Sequence, residues 1–259
     1  MGYSTDFLSV TELAGDEVSR EQVERICHRY VWAAGYCRGK DVLEAACGTG
    51  QGLGLLKKTA ATLEAGDYSS AILEITRSHY GDRINITQFD AQSLPFAENS
   101  LDVVILFEAI YYLPDAGRFL EECRRVLRPS GLVLIATANK DLFDFNPSPF
   151  SHKYYGAEEL GLLLSHAGFT PKIFGYMPVS SVALKQKALR PAKMLATKSG
   201  LMPKTTQGKK LLKKFVFGKL VTMPEAISAE MIDYQAPVAL PAGPDRIHKV
   251  LYAAATFDG

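Results

Sequence analysis

The chain has 259 residues, 47% hydrophobic and 10% aromatic, with 29 basic and 28 acidic side chains and a net charge of +1. That length and apolar content suffice for a substantial core, which excludes a disordered chain and fits a single domain over 1–259. No apolar run reaches the roughly 18 residues of a membrane span, and the N-terminus lacks a basic start with an apolar stretch, so a cytoplasmic location is expected.

The first predicted element is a helix over Ser19–Tyr36. Ser19 caps it, Gln22 completes a capping box, and Val23, Ile26, Tyr30 and Ala33 recur at helical spacing. Next comes Val42–Gly54, VLEAACGTGQGLG, in which an apolar run ending in the acid Glu44 meets four glycines. It reads as strand, tight loop and helix. Glycine permits positive φ and leaves no Cβ between backbone and ligand, so Gly48 and Gly50 are expected contact positions, while Gly52 and Gly54 let the helix pack closely. A nicotinamide dinucleotide fingerprint fails, because its third glycine falls on Leu53 counted from Gly48 or on Leu55 counted from Gly50. A P-loop fails for want of Gly-Lys-Ser/Thr.

The following strands end in acids. Ala61–Gly66 is followed by Asp67, seventeen residues after Gly50, close to the interval at which a Rossmann-type unit places a ribose-binding carboxylate. Asp67 is therefore the candidate ribose acceptor; its alternative is the cap of the next helix, a role Ser69 fills equally well. Ile84–Phe89 ends in Asp90. Leu101–Phe107 is an almost unbroken apolar run suited to a central parallel strand, with Glu108 at its carboxyl end. Leu132–Thr137 predicts a fifth strand, Ala157–His166 a helix, Pro171–Met177 a sixth strand and His248–Phe257 a seventh.

Charge is unevenly placed. Residues 1–159 carry 15 basic and 23 acidic side chains, a charge of −8, whereas residues 160–259 carry 14 and 5, a charge of +9. This asymmetry points to an anionic partner. Within the basic stretch, KKLLKKFV over Lys209–Val216 separates four lysines from an apolar face. It reads as a helix packed on the domain, as a peripheral membrane-surface contact, or as a holder of phosphates on a nucleotide-linked or lipid-linked sugar. Few aromatics interleave with the basic residues, so nucleic acid is a disfavoured partner.

Glu44 with Ala46-x-Gly48-x-Gly50 resembles motif I of the class I S-adenosylmethionine (SAM) methyltransferases, with Ala46 in place of the first glycine. The resemblance extends over roughly residues 20–177 and the last strand. It implies an α/β fold with a Rossmann-like, seven-stranded, mostly parallel sheet, helices on both faces, an antiparallel last strand, and a long basic insertion between strands six and seven. The expected organisation is an N-terminal lid helix in 1–40, a core in 41–179, a basic insertion or lid in 180–245 and the last strand in 246–259.

The resemblance also implies SAM as cofactor and S-adenosylhomocysteine as product, held by Glu44, Ala46, Gly48, Gly50, Asp67, Tyr68, Asp90, Ala91 and Phe107. Asp90 would accept from the adenine amino group, with the Ala91 N–H beside it and apolar surface from Leu94 and Phe96; an ordinary Asp turn is the alternative. CHRYVWAAGY is similar to the helix before motif I in members acting on sugars and glycans, where a basic residue meets the methionine carboxylate. Arg29 is the candidate, and an exposed helix charge is its alternative.

The implied chemistry is methyl transfer to a small-molecule or glycan acceptor that could bear phosphate, most simply to a hydroxyl of a nucleotide-linked or lipid-linked sugar. N- or C-methylation, RNA as acceptor and a catalytically inactive SAM-binding protein stay open, as does the oligomeric state. A hydroxyl must lose its proton, and His152, in the loop after the fifth strand, is the candidate base, with Glu108 as the second. Tyr111 and Tyr112 are candidate pocket walls, Tyr154 and Tyr155 candidates to stack on a sugar, and Asn146 a partner for hydroxyls. No metal is expected: Glu108, Asn139 and Asp141 mimic the acids of metal-assisted members only loosely. The four cysteines show no zinc spacing and read as reduced and buried, Cys47 in the glycine loop included.

Overall fold

The computed structural model describes residues 7–179 and 220–257. The strands among the described residues are β1 Glu17–Ser19, β2 Asp41–Glu44, β3 Thr62–Asp67, β4 Asn85–Gln88, β5 Leu101–Phe107, β6 Leu127–Ala138, β7 Phe169–Pro178, β8 Leu220–Thr222, β9 Val238–Ala239 and β10 His248–Phe257. The α-helices among the described residues are α1 Arg20–Cys37, α2 Leu53–Lys57, α3 Ser70–Tyr80, α4 Ala116–Val126 and α5 Ala157–His166.

The main sheet runs β4-β3-β2-β5-β6-β10-β7-β9. From β4 to β6 neighbouring strands are parallel, while β10 is antiparallel to both β6 and β7. Strand alternation sends successive side chains to opposite faces. Val103, Ile105 and Phe107 of β5 therefore join one core with α1, α2 and α3, and Val104 and Leu106 join the other with α4 and α5. Val250, Tyr252 and Ala254 alternate with Leu251, Ala253 and Ala255 on β10 in the same way. The result is a three-layer, Rossmann-like α/β fold.

The capping box of α1 forms as its sequence requires: the Ser19 hydroxyl accepts from Gln22 N at 3.2 Å, and Gln22 Oε1 accepts from Ser19 N at 3.0 Å. Elsewhere the structure adds to the expected elements. β6 begins at Leu127, five residues before the expected Leu132, because Leu127 pairs with Leu101 ahead of a register shift, with Ser130 at φ +64° in the Arg-Pro-Ser-Gly bend. The two-residue strand β9 pairs antiparallel with β7, so β9 and not β7 forms that edge of the described sheet. The returning part of the expected insertion is also structured: β8 pairs antiparallel with β1 in a separate two-stranded sheet. Lys209–Val216 lies outside the described residues.

Sheet order reverses between β2, which continues to β3 and β4 on one side, and β5, which leads to β6 on the other. Such a switch point opens a crevice at the carboxyl ends of the strands, because the loops on its two sides diverge.

Candidate active site

The cavity at those strand ends has a volume of about 530 Å³, within the range typical of sites that enclose a small molecule. Successive loops across the sheet line it: Asp90–Gln92 after β4, Asp67 and Tyr68 at β3, Ala45–Thr49 and Gln51 after β2, Leu106 and Phe107 at the end of β5 with Glu108, Ala109 and Tyr111–Pro114 after it, and Ser148 and His152 after β6. Phe7, Val10, Thr11 and Glu12 of the N-terminal strap, with Gln22, Arg25, Arg29 and Tyr30 of α1, complete the wall.

The glycine loop is held by side chains from α3. Thr76 Oγ1 donates to the Gly48 carbonyl at 2.8 Å, the Tyr80 hydroxyl donates to the Gly50 carbonyl at 2.7 Å, and the same hydroxyl accepts from Gly54 N at 3.0 Å. Gly48, at φ +56°, lines the cavity; Gly50, at φ +82°, does not, and a Cβ there would lie 2.7 Å from Thr76 Cγ2. The Gly50 requirement is thus one of packing under the loop. Gly52 faces the Tyr30 ring so closely that a Cβ would sit 2.1 Å from it.

Asp67 presents a prepared carboxylate: Oδ2 accepts from Gly48 N at 3.1 Å and Oδ1 from Ser69 N at 3.0 Å. Ser69, not Asp67, caps α3, accepting from Ile72 N. Burial raises the Asp67 carboxyl above its usual range against the lowering effect of these amides. Asp90 accepts from Gln92 N at 2.8 Å and from its side-chain amide, and both line the cavity beside Ala91. Leu94 and Phe96 do not reach the cavity; Ile72, Ala91 and Leu113 supply apolar lining instead. Glu44 is buried behind the loop and does not line the cavity either. Cys47 does, but burial holds its thiol well above the ordinary range, which keeps it protonated.

Arg29 meets the cavity with a side chain only 13% exposed. Its guanidinium lies 3.9 Å from Glu12 Oε2 and 4.0 Å from Glu108 Oε1, and its buried Nε has no partner among the described residues. Burial opposes its charge, but the neighbouring carboxylates outweigh that and hold it cationic. Glu108 sits at φ +50° directly after β5, a conformation sparsely populated by non-glycine residues and concentrated at functional sites. Its Oε1 accepts from Arg25 at 3.4 Å and its Oε2 from the Tyr111 hydroxyl at 3.1 Å. Tyr111 stays protonated, its phenol pushed well above 10 by burial and the nearby carboxylate.

His152 is exposed at the opposite rim, its backbone N–H fixed by the Tyr111 carbonyl at 2.7 Å. Tyr112 lines the cavity with its hydroxyl 2.6 Å from Ser148 Oγ. Tyr154 does not face it: its ring stacks on Tyr111, centroids 4.1 Å apart. Tyr155 is buried in the core and Asn146 is exposed outside the cavity. Asn139 is committed to structure, donating to Asp245 and to the His248 carbonyl.

The strap was not legible in the sequence, since Phe7–Glu12 has no periodic pattern. It is held by the Glu12 carbonyl, which accepts from Gln51 Nε2 at 2.8 Å and Thr49 Oγ1 at 3.2 Å, and by the Phe7 ring on Tyr68, Tyr112 and Phe150. Arg25 and Tyr30 were equally missed as cavity residues, although the α1 periodicity placed Tyr30 on the buried face.

A glycine loop, strand-end carboxylates and a helix thus surround one switch-point cavity. Residues 43–135 match the family described as a methyltransferase domain. A Mycobacterium tuberculosis protein named a probable S-adenosylmethionine-dependent methyltransferase is 40% identical over 137 residues, 51% of this chain and 50% of the relative. A Mycobacterium ulcerans phthiotriol/phenolphthiotriol dimycocerosates methyltransferase is 39% identical over 99 residues, 37% of this chain and 36% of the relative. The crystal structure of a SAM-dependent methyltransferase from Archaeoglobus fulgidus superposes with a TM-score of 0.56 at 18% identity, covering 92% of this chain and 94% of that one, which shows the shared fold. The chain is thus similar to SAM-dependent methyltransferases through a methyltransferase-domain match, and its matches span about half the length of the first curated relatives or less.

The residues fit that family's cofactor. Arg29 offers unsatisfied donors to a carboxylate, and Asp67 offers a backbone-anchored carboxylate to a ribose. Among the described residues no helix is long and apolar enough to cross a membrane.

Proposed function

We propose that this chain is a SAM-dependent methyltransferase acting on a hydroxyl of a small-molecule or glycan acceptor, the hydroxyl borne by a nucleotide-linked or lipid-linked sugar. The observation that supports it is one cavity lined both by the cofactor candidates Gly48, Asp67, Asp90 and Arg29 and by Glu108, Tyr111, Tyr112 and His152. The lipid-methylating name of the relative from M. ulcerans favours a lipid-linked acceptor among these.

When bound, SAM supplies an electrophilic methyl on a sulfonium. Gly48, Asp67, Asp90 and Arg29 would hold it, and its methyl would pass to the acceptor oxygen with the carbon–sulfur bonding pair left on sulfur. His152 takes the hydroxyl proton as general base. Glu108 is assigned to positioning, since one of its oxygens already serves Arg25 and the other Tyr111. Tyr112 and the strap residue Phe7 wall the acceptor and keep water from the methyl group.

Transfer of labelled methyl from SAM to a panel of sugar nucleotides, glycans and lipid-linked alcohols tests this. The expected result is an O-methyl product, with His152→Ala lowering kcat by roughly a hundredfold at unchanged S-adenosylhomocysteine affinity. A methylated nitrogen, carbon or RNA would overturn the hydroxyl assignment.

A further inference from the structure

Four charged side chains from three separate pieces of chain meet along one wall of the cavity: Glu12 on the strap, Arg25 and Arg29 on α1, and Glu108 after β5. Glu108 is the settled member, with Arg25 and Tyr111 on its two oxygens. Arg29 is the unsettled one. It makes no hydrogen bond among the described residues, and its nearest carboxylate oxygens stand at 3.9 and 4.0 Å. A desolvated guanidinium without hydrogen bonds is costly, so a carboxylate completes it.

Glu12 is its counterpart. The main-chain carbonyl of Glu12 is tied to Thr49 and Gln51 of the glycine loop, which fixes the strap, whereas among the described residues the carboxylate receives only a 3.4 Å bond from Gln22 Nε2. Its side chain is 35% exposed and lines the cavity next to Arg29. The charges of Glu12, Arg25, Arg29 and Glu108 cancel. A zwitterion adds none, whereas a ligand with a carboxylate alone would leave a negative charge uncompensated.

We infer that Glu12 receives the ammonium of the cofactor's amino-acid end while Arg29 receives its carboxylate, so that the cofactor itself fastens the strap Phe7–Glu12 over the cavity. The inference rests on the SAM reading above. It makes Glu12 a cofactor-binding residue that neither the glycine loop nor the strand-end acids reveal. The same strap carries Phe7 to Tyr68 on one side of the mouth and to Tyr112 on the other, so closing it encloses both ends of the site.

The test compares S-adenosylhomocysteine with 5′-methylthioadenosine, which keeps the adenosine and thioether but has no amino-acid end. Affinities are measured by calorimetry for the wild type and Glu12→Gln, and amide exchange of residues 7–15 is followed with each ligand. Glu12→Gln is expected to weaken S-adenosylhomocysteine roughly tenfold or more and to leave 5′-methylthioadenosine unchanged, with strap protection in the wild type only under S-adenosylhomocysteine. Equal weakening of both ligands would make Glu12 a structural residue and overturn the inference, as would an unchanged affinity for S-adenosylhomocysteine. A wild type that binds neither ligand would overturn the cofactor reading itself, and this inference with it.

Discussion

The Tyr30 hydroxyl donates a 2.5 Å hydrogen bond to Glu44, joining the helix over the cavity to the strand that launches the glycine loop. Both side chains are buried, and the second Glu44 oxygen has no partner among the described residues. Tyr30→Phe removes the partner this carboxyl has among the described residues, which costs about 1–3 kcal/mol. Urea denaturation of the variant is expected to show that loss, and cofactor affinity to fall with it as α1 loosens.

The same carboxyl makes stability depend on pH. Burial pushes Glu44 from its ordinary 4.5 up to about 7, against the lowering influence of Tyr30 and Arg29. The folded protein therefore keeps a proton that the unfolded chain releases. The stability this contributes is complete below about 4.5 and is lost as pH rises through about 7, an effect on the order of 3 kcal/mol. Asp67, also raised by burial, acts in the same direction. Denaturation midpoints of wild type and Glu44→Gln measured from pH 5 to 8 should converge or cross as the wild type loses this term. Parallel pH profiles would contradict it.

Gly52→Ala places a methyl group against the Tyr30 ring, where a Cβ would lie 2.1 Å away. Since Tyr30 is pinned by Glu44, the strain falls on α1 and the loop. A loss of about 1–3 kcal/mol is expected from overpacking, together with weaker cofactor binding. A Gly54→Ala control, whose Cβ would meet the Tyr80 hydroxyl at 3.5 Å and Cε1 at 3.9 Å, both ordinary contacts, should cost less. Thermal denaturation of the two variants side by side checks the order.

Arg125 fastens the loop that leads away from Asp90. It donates to the Phe96 and Leu94 carbonyls at 2.7 and 2.8 Å and pairs with Glu122, whose carboxylate accepts from Leu94 N. Its hydrogen bonds hold the Glu122 carboxyl below the usual range, so this stabilisation is present above the unfolded carboxyl range and is lost as pH falls. Arg125→Ala leaves a nearly buried carboxylate half-paired and should cost about 2–3 kcal/mol at neutral pH, with a smaller penalty at pH 4.

Most of the fold was legible because it rests on local rules. The α1 capping box, the unbroken apolar β5, α5 and β10 all occupy the residues their patterns predict within a residue at either end. β1, β8 and β9 escaped because two- and three-residue strands carry no period and exist only through distant partners. In the site, spacing led to Asp67 and Asp90, but motif spacing does not distinguish Gly48, which faces the cavity, from Gly50, which packs on Thr76. Nor does proximity in sequence separate Tyr112, on the wall, from Tyr154, stacked behind it on Tyr111.

The most direct test of the account is calorimetric titration of wild type and Asp67→Ala with SAM, S-adenosylhomocysteine and NADH. The account predicts binding of both adenosyl ligands to the wild type, loss of that binding in a variant that remains folded, and no response to NADH. Silence with both adenosyl ligands, or binding of NADH alone, would contradict it.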